Sequence, residues 1–438
     1  MTSVSCEPPL VPFSLVLPES GAVTEPASVA AADGTLYLLA SYADHPALGP
    51  EVTRDPGERG VLLARVDPCG NVLWVRPFPG FAQATIEGGA IAAELIVFGG
   101  HLTGTLDFGT GPVVAEGGAA SFVVAFDGAG DAVWTRSFSS AGGAPDAVRV
   151  RALAADHDAV YAAGGFEGAV DFGDATRTAI GDKDMFLARL SPTSGATLWS
   201  RSLGSAAYEE ALAVAVTSSG AICLGSGGLG MFAWPNGPGS TAAIARLDRE
   251  SGSPVSAIET TDAAVTAMTS LGDDCVAVGT YQGSLHLGPV SLPTAIDGSN
   301  GFATRVDPDS SPIWARPFGP DNGDLDATAF GGRVFVAGSV NGAWNFEEGT
   351  VLGEPLSKEN ATILVGLDVG SGAFVSGRAF DGASAQSVRA IHPRDGALLV
   401  TGVVAGQGLD LGQGPLTTAA SESVFVARLA WESTPPSD

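Results

Sequence analysis

The segment Phe186–Trp199, which reads FLARLSPTSGATLW, decides the fold of this chain. It begins with a short apolar run that ends at Arg189 and Leu190, passes through a polar turn, and resumes as a second run that ends at Trp199. Two short apolar runs separated by Pro, Ser and Gly are typical of paired β-strands. Its first six residues recur as a signature in segments that begin at Leu62, Phe122, Ala243, Phe302, Ile363 and Phe425.

The signature therefore appears seven times, at intervals of 57 to 64 residues. Self-similarity at a fixed period indicates a repeat protein, and four short strands per period are typical of one blade of a β-propeller. The runs are apolar on both faces, as expected for a sheet buried between two neighbours. We therefore expect an all-β chain that forms a seven-bladed β-propeller of four-stranded antiparallel blades.

The two ends of the chain predict how the ring closes. The seventh repeat stops at Ala430–Glu432, just after its signature, and has no outer strand of the tryptophan type. An apolar segment at residues 10–17 resembles that missing strand, and we expect it to complete the last blade so that no sheet edge is left open. The predicted organisation is an N-terminal extension at 1–9, the propeller at 10–432 and a Pro-rich tail at 433–438.

The charge of the chain limits its partners. It has 48 acidic and 21 basic residues, a net charge of −27. Such a surface repels phosphate backbones, which argues against nucleic acid as a partner, and it attracts calcium or a basic partner. The simpler alternative is that the charge keeps a chain rich in Gly and Ala in solution.

The cysteines and the N-terminus limit other classes of function. None of Cys6, Cys69, Cys223 and Cys275 lies in a C-x-x-C pair, which argues against a zinc ribbon or a thioredoxin-like site. Cys223 and Cys275 fall in apolar strand patterns, and we expect them to be buried thiols. No apolar run is long enough for a membrane span, and no basic residue precedes Arg54, so the N-terminus as given is not a signal peptide.

The histidines do not predict a catalytic set. They occupy different repeats and different repeat positions, and no H-E-x-x-H zinc motif occurs. A shared site would require two of them to meet at the mouth of the channel. The five are His45, His101, His157, His286 and His392.

Acidic residues precede the first, inner strand in most repeats. Loops in that position share one face of a propeller, so their carboxylates would form a ring, and hard oxygen ligands of this kind suit calcium. Two alternatives are that Arg149, Arg151 and Arg389 neutralise the ring, or that the acids are dispersed and solvated. The candidate cation-binding residues are Glu25, Glu87, Asp146, Glu209, Asp262 and Asp324.

The tryptophans divide into two groups. Those that follow the signature, such as Trp134 and Trp199, recur at one repeat position, and burial between blades explains that recurrence. Trp234 and Trp344 lie outside the pattern. We predict that these two are exposed and contact a ligand.

The signature, the tryptophan strand and an Asp-Phe-Gly element, as at Asp171–Gly173, together resemble the bacterial SBBP-type β-propeller repeats. The resemblance covers residues 10–431 and implies a propeller fold and an exported location, without implying any chemistry. Repeat four departs from the pattern, because Ser256 stands where tryptophan is expected, and repeat six also lacks the tryptophan.

The tryptophan strand is also similar to the docking motif of quinoprotein propellers. That resemblance implies pyrroloquinoline quinone with a calcium ion. Those enzymes usually have eight blades, and many use adjacent cysteines, which this chain lacks.

We therefore expect a non-enzymatic binding or scaffold module, exported or surface-associated and monomeric, that recognises a protein or a polysaccharide. The expected cofactors are none, or calcium. The alternative is a lyase or hydrolase whose site lies at the acidic mouth of the channel. Fold by itself does not distinguish the two.

Overall fold

The computed structural model describes most of the chain. The described residues are 13–17, 22–43, 59–80, 82–138, 147–206, 208–228, 242–260, 263–295, 298–320, 325–340, 344–346, 351–352, 361–380, 385–394, 396–406, 409–412, 414–416 and 422–431. Within these ranges the regular elements are all β-strands. The expectation of an all-β chain is confirmed.

The strands fall into antiparallel units of four, preceded by β1 (Phe13–Leu17). The first unit contains β2 (Ala22–Ala30), β3 (Leu36–Ala43), β4 (Arg59–Val66) and β5 (Val72–Gly80). The second contains β6 (Gln83–Ala92), β7 (Leu95–Asp107), β8 (Pro112–Phe126) and β9 (Ala132–Phe138). The third contains β10 (Val148–Ala155), β11 (Val160–Phe166), a hairpin of β12 (Ala169–Asp171) and β13 (Thr176–Thr178), β14 (Asp184–Leu190) and β15 (Thr197–Leu203).

The later units repeat this pattern. The fourth contains β16 (Glu209–Val216), β17 (Ile222–Gly228), β18 (Ala242–Leu247) and β19 (Pro254–Thr260). The fifth contains β20 (Ala263–Leu271), β21 (Asp274–Tyr281), a hairpin of β22 (His286–Leu287) and β23 (Val290–Ser291), β24 (Asn300–Val306) and β25 (Pro312–Pro320). The sixth contains β26 (Leu325–Phe330), β27 (Arg333–Val340), a hairpin of β28 (Trp344–Asn345) and β29 (Val351–Leu352), β30 (Ala361–Asp368) and β31 (Phe374–Phe380). The last contains β32 (Ala385–Arg394), β33 (Ala397–Ala405) and β34 (Ser423–Ala430).

The four long strands of a unit pair in chain order, and the small hairpins form separate two-stranded sheets. The last unit takes its fourth strand from the N-terminus, since β1 pairs antiparallel with β34 and Leu15 lies opposite Val426. The first and second units are joined edge to edge by one pair, Gly80 with Leu106.

The first strands of the units pack against one another in series. β2 contacts β6, and the series continues through β10, β16, β20 and β26 to β32, which contacts β2. These strands line a central cavity of about 640 Å³. Four-stranded units repeated around a central space are the architecture of a β-propeller.

The signature forms the third strand of each unit and the turn after it. In the third unit every residue of this strand is buried, because the strand lies in the middle of a sheet whose two faces are both covered. The aspartate that ends the signature holds the turn: the Asp127 carboxylate accepts the N–H groups of Ala129 and Asp131, both at 2.9 Å. Asp and Asn favour turns because their side chains bond to nearby backbone in this way.

The recurring tryptophans join neighbouring units, which confirms their interpretation as buried structural residues. Trp134 is 6% exposed, and its Nε1–H donates to the Pro192 carbonyl in the next unit, at 2.9 Å. Its ring packs on the turn glycine Gly195, whose φ of 67° suits glycine. Trp199 with Gly252 and Trp314 with Gly372 repeat the contact.

The prediction that Cys223 and Cys275 are thiols is wrong. The two form a disulfide between the fourth and fifth units, with Cα atoms 6.5 Å apart, inside the usual range for such a bond. Each is the second residue of the second strand of its unit, β17 or β21, so adjacent units bring them face to face. Both are buried, as expected, and Cys69 is also disulfide-bonded.

Candidate functional site

The first strands bring side chains to the central cavity through bulges. Six of these strands shift register against the second strand at the same place, and a bulge re-aims the side chain that it leaves unpaired. β26 has no such shift, and there Asp326 is the second residue of the strand. We call the residues at this level the bulge ring: Glu25, Glu87, Arg151, Leu212, Thr266, Asp326 and Arg389. All of them except Glu25 line the cavity.

Arg151 is held by carboxylates from the units on both sides. Its Nη1 donates to Glu87 Oε1 at 2.9 Å, and its Nη2 donates to Glu210 Oε2 at 3.2 Å. Tyr208 also donates its hydroxyl to Glu210 Oε2, at 3.1 Å. Burial by itself would lower the pKa of Arg151, but Glu87 and Glu210 raise it above its ordinary value. Arg151 is therefore a fixed cation that ties three units together.

Glu87 is half-buried beside this arginine. Burial raises the pKa of its carboxyl above the ordinary value, and the charge of Arg151 opposes that rise. His101 Nδ1 lies 3.5 Å from Glu87 Oε1. The second ion pair of the bulge ring joins Arg389 and Glu25 at 3.6 Å, and these two side chains are 36% and 40% exposed.

The junction between the last and first units contains a partly buried chain of polar side chains. The Ser28 hydroxyl is 2.9 Å from His392 Nε2 and 2.8 Å from Thr401 Oγ1. Burial lowers the pKa of His392 to about 4, so its imidazole is neutral at neutral pH. On the preceding unit, Asp326 accepts the N–H of Ile391 at 2.7 Å, and burial raises the pKa of Asp326 to about 6.

The structure brings two of the six candidate cation ligands into the bulge ring. Glu25 and Glu87 are there, each paired with an arginine, which agrees with the alternative that Arg151 and Arg389 neutralise the acids. Glu209 is buried and accepts the N–H of Ser205 at 3.1 Å. Asp146, Asp262 and Asp324 lie outside the described residues.

Across the part of the chain that the structure describes, no group of three potential metal ligands is found. A calcium site that involves the other three acids stays a prediction.

The prediction that Trp344 is exposed is wrong. Trp344 is fully buried, with its ring 4.5 Å from that of Phe318. Trp344 begins the small hairpin of the sixth unit, and this hairpin packs on β25, the outer strand of the fifth unit. The sequence pattern places Trp344 in a loop and does not show that the loop packs on the neighbouring unit. Trp234 lies outside the described residues.

Sequence reasoning missed the grouping of Ser28, Asp326 and His392. The equivalent positions of the other repeats carry different residue types, so no sequence motif marks these three residues. The available signal was positional, since all three lie on first strands, which converge at the axis.

No helix in the described ranges is long and apolar enough to cross a membrane. No family model and no curated protein matches the chain.

Solved structures with a similar arrangement of strands include BamB from Moraxella catarrhalis, with 13% identity, a TM-score of 0.41, and coverage of 95% of this chain and 100% of that one. The Cps50 β-propeller domain of Myceliophteria thermophila has 12% identity, a TM-score of 0.46, and coverage of 96% and 100%. The quinohemoprotein alcohol dehydrogenase of Comamonas testosteroni has 12% identity, a TM-score of 0.44, and coverage of 98% of this chain and 77% of that one.

Proposed function

We propose that the chain is a closed seven-bladed β-propeller that serves as an exported, non-enzymatic binding module for a protein or a polysaccharide. Each four-stranded unit would be one blade, and residues 10–17 would complete the last one. The pairing of β1 with β34 and the contact of β32 with β2 support a closed ring. Closure leaves a rigid body whose loops can carry a recognition surface.

The observation that carries this proposal is the mutual pairing of charged side chains at the axis. Arg151 bridges Glu87 and Glu210, so that one guanidinium joins the second, third and fourth units. Groups held in this way keep fixed positions, as a recognition surface requires. General acid–base catalysis instead requires a group that exchanges its proton with a substrate.

The proposal of export draws support from the disulfide between Cys223 and Cys275. Disulfides persist in oxidising compartments and are rare where cellular thiols keep proteins reduced. Thiol alkylation of the protein taken directly from its natural source, before and after reduction, tests this. Modification of Cys223 without prior reduction would count against export.

Binding is tested with the intact protein, labelled and applied to an array of polysaccharides and an array of proteins graded from acidic to basic. We expect saturable binding to members of one class. Heat-unfolded protein is the control for adhesion. Absence of saturable binding on both arrays would overturn the proposal.

A second candidate function, hydrolysis, is favoured by one observation. Ser28 and His392 both line the cavity, and their hydrogen bond is the first element of a nucleophile and its base. Against it, Ser28 is only 4% exposed and also bonds to Thr401. Incubation with a fluorophosphonate, followed by mass spectrometry, separates the two functions: a stoichiometric adduct on Ser28 supports the hydrolase, and an unmodified chain supports the binding module.

A further inference from the structure

The bulge ring has two unlike halves. Arg389, Glu25, Glu87 and Arg151 come from four consecutive units around the ring, taken from the last unit through the first to the third, and they form a charged arc. The bulge-ring residues of the fourth and fifth units, Leu212 and Thr266, carry no charge. Asp326, from the sixth, accepts the N–H of Ile391.

The charges of the arc balance. Glu210 and Arg149 lie beside it, since Glu210 bonds to Arg151 and the charge of Arg149 acts on Glu87. The group then contains three carboxylates, Glu25, Glu87 and Glu210, and three guanidinium groups, Arg149, Arg151 and Arg389. A neutral arc that presents both signs favours a ligand that itself carries both signs over a simple cation or anion.

The two ion pairs of the arc differ in how open they are. The Arg151 pairs are short and half-buried, which suits a structural role. Arg389 meets Glu25 at 3.6 Å, beyond an ordinary charge-assisted hydrogen bond, and both side chains are more than a third exposed. A guanidinium has five N–H donors and a carboxylate has about four acceptor sites, so this pair has capacity for a second partner.

We propose that the bulge ring, at the edge of the central cavity, binds an α-amino acid as a zwitterion. Its carboxylate accepts N–H bonds from Arg389, its ammonium donates to Glu25, and its side chain extends into the cavity that Arg389 lines. In an α-amino acid the two charged groups share one carbon, which matches the short separation of Arg389 and Glu25. The cavity, about 640 Å³, is within the range of small-molecule sites.

The lining of the cavity disfavours a sugar in the same place. Its described residues include no Phe, Tyr or Trp, the residue types on which sugar rings usually stack. The amino acid is a ligand in addition to the macromolecular partner proposed above. It requires the central cavity and the bulge ring, and it does not require that partner.

The test is calorimetric titration of the intact protein with leucine, N-acetylleucine and leucine methyl ester. We expect leucine to bind saturably at concentrations up to about 10 mM. Each blocked form should bind at least about tenfold more weakly than leucine. N-acetylleucine lacks the ammonium group that contacts Glu25, and leucine methyl ester lacks the carboxylate that contacts Arg389. Equal heats from leucine and either blocked form, or no heat from leucine, would overturn the proposal.

Variants separate the cavity from the rest of the surface. Arg389→Gln and Glu25→Gln should each weaken leucine binding about tenfold. The matched control is Arg76→Gln, which breaks an ion pair with Asp131 that lies between outer parts of the first two units and away from the cavity lining. It should leave leucine binding unchanged.

Because Glu25→Gln and Arg389→Gln are separate changes and the ligand series uses the unaltered protein, misfolding of one variant does not prevent a decision. Unchanged leucine affinity in both variants would overturn the proposal. If the protein binds to an array but does not bind leucine, this inference is overturned and the proposed function is left intact.

Discussion

At the residue scale, the joints between units depend on pairs of very different size. Trp134, Trp199 and Trp314 each lie on a turn glycine of the next unit, and each donates its indole N–H to a carbonyl of the same turn region. The glycine is required twice over: its φ is positive, and a β-carbon would occupy the space of the indole ring. The tryptophan and the glycine therefore act as one contact.

Replacing Gly195 with Ala should destabilise the protein by about 2–4 kcal/mol, since the left-handed backbone disfavours a β-carbon and the Trp134 ring must shift. Denaturant unfolding measures this. Gly109→Ala is the matched control, because Gly109 also has a positive φ, 110°, but has open space where the β-carbon would be. Equal losses in the two variants would show that the tryptophan contact contributes little.

At the scale of the strand and the unit, a disulfide and hydrogen bonds of ionisable side chains join adjacent units that backbone hydrogen bonds do not join. The Cys223–Cys275 bond ties β17 to β21, in adjacent sheets. Asp326 and His392 lie at two successive junctions, one bonded to the last unit and the other to the first. Both kinds of link predict measurable effects.

Replacing both Cys223 and Cys275 with Ser should lower the free energy of unfolding by about 3–4 kcal/mol, since the bond closes a loop of 52 residues in the unfolded chain. Thermal and denaturant unfolding of the variant measure this loss. Addition of a reductant to the unaltered protein should reproduce it. A variant as stable as the parent would show that the bond does not constrain the unfolded chain.

Asp326 and His392 should change the free energy of unfolding in opposite directions as the pH rises. The pKa of Asp326 is raised to about 6, so its contribution is present below pH 3.8 and is lost as pH rises through 6. The pKa of His392 is lowered to about 4, so its contribution is present above pH 6.5 and is lost as pH falls through 4. Between these values the two slopes oppose each other.

Relative to the parent, Asp326→Asn should therefore make stability rise more steeply with pH from about 4 to 6, and His392→Gln should make it fall more steeply. Denaturant unfolding at several pH values, with the parent as reference, measures both differences. Parallel curves for all three proteins would contradict the assignment.

At the scale of the whole molecule, the N-terminal strand joins the two ends of the chain. β1 pairs with β34, and it is the fourth strand of the last unit. Without it, β34 would be an exposed edge with unpaired backbone groups.

Deletion of residues 1–18 should lower the melting temperature sharply and favour association through that edge. Calorimetry and light scattering measure the two effects. A control truncation that removes residues 433–438 should melt like the parent. An unchanged melt of the N-terminal deletion would contradict closure by this strand.

Much of the fold follows from local sequence. The signature, its aspartate and the glycine after it act over two to five residues, so the strands, the turns and the repeat length can be predicted from the sequence. The tryptophan contact can also be inferred from the sequence, because its tryptophan recurs at one position in four repeats, each time on the strand after the signature. Glu25, Glu87, Arg151 and Arg389 were recognised as residues at the inner-strand position, but not as an arc of opposed charges.

The sequence by itself determined the all-β class, the repeat and the residues that form its turns and joints, because those interactions are short in range or repeated. Only the tertiary structure decided what non-repeated residues do. It joined Cys223 to Cys275, buried Trp344, and placed Ser28 against His392, 364 positions away in the chain. Such contacts depend on how the units pack around the axis, and no local pattern of one repeat specifies which single residue of another will meet it.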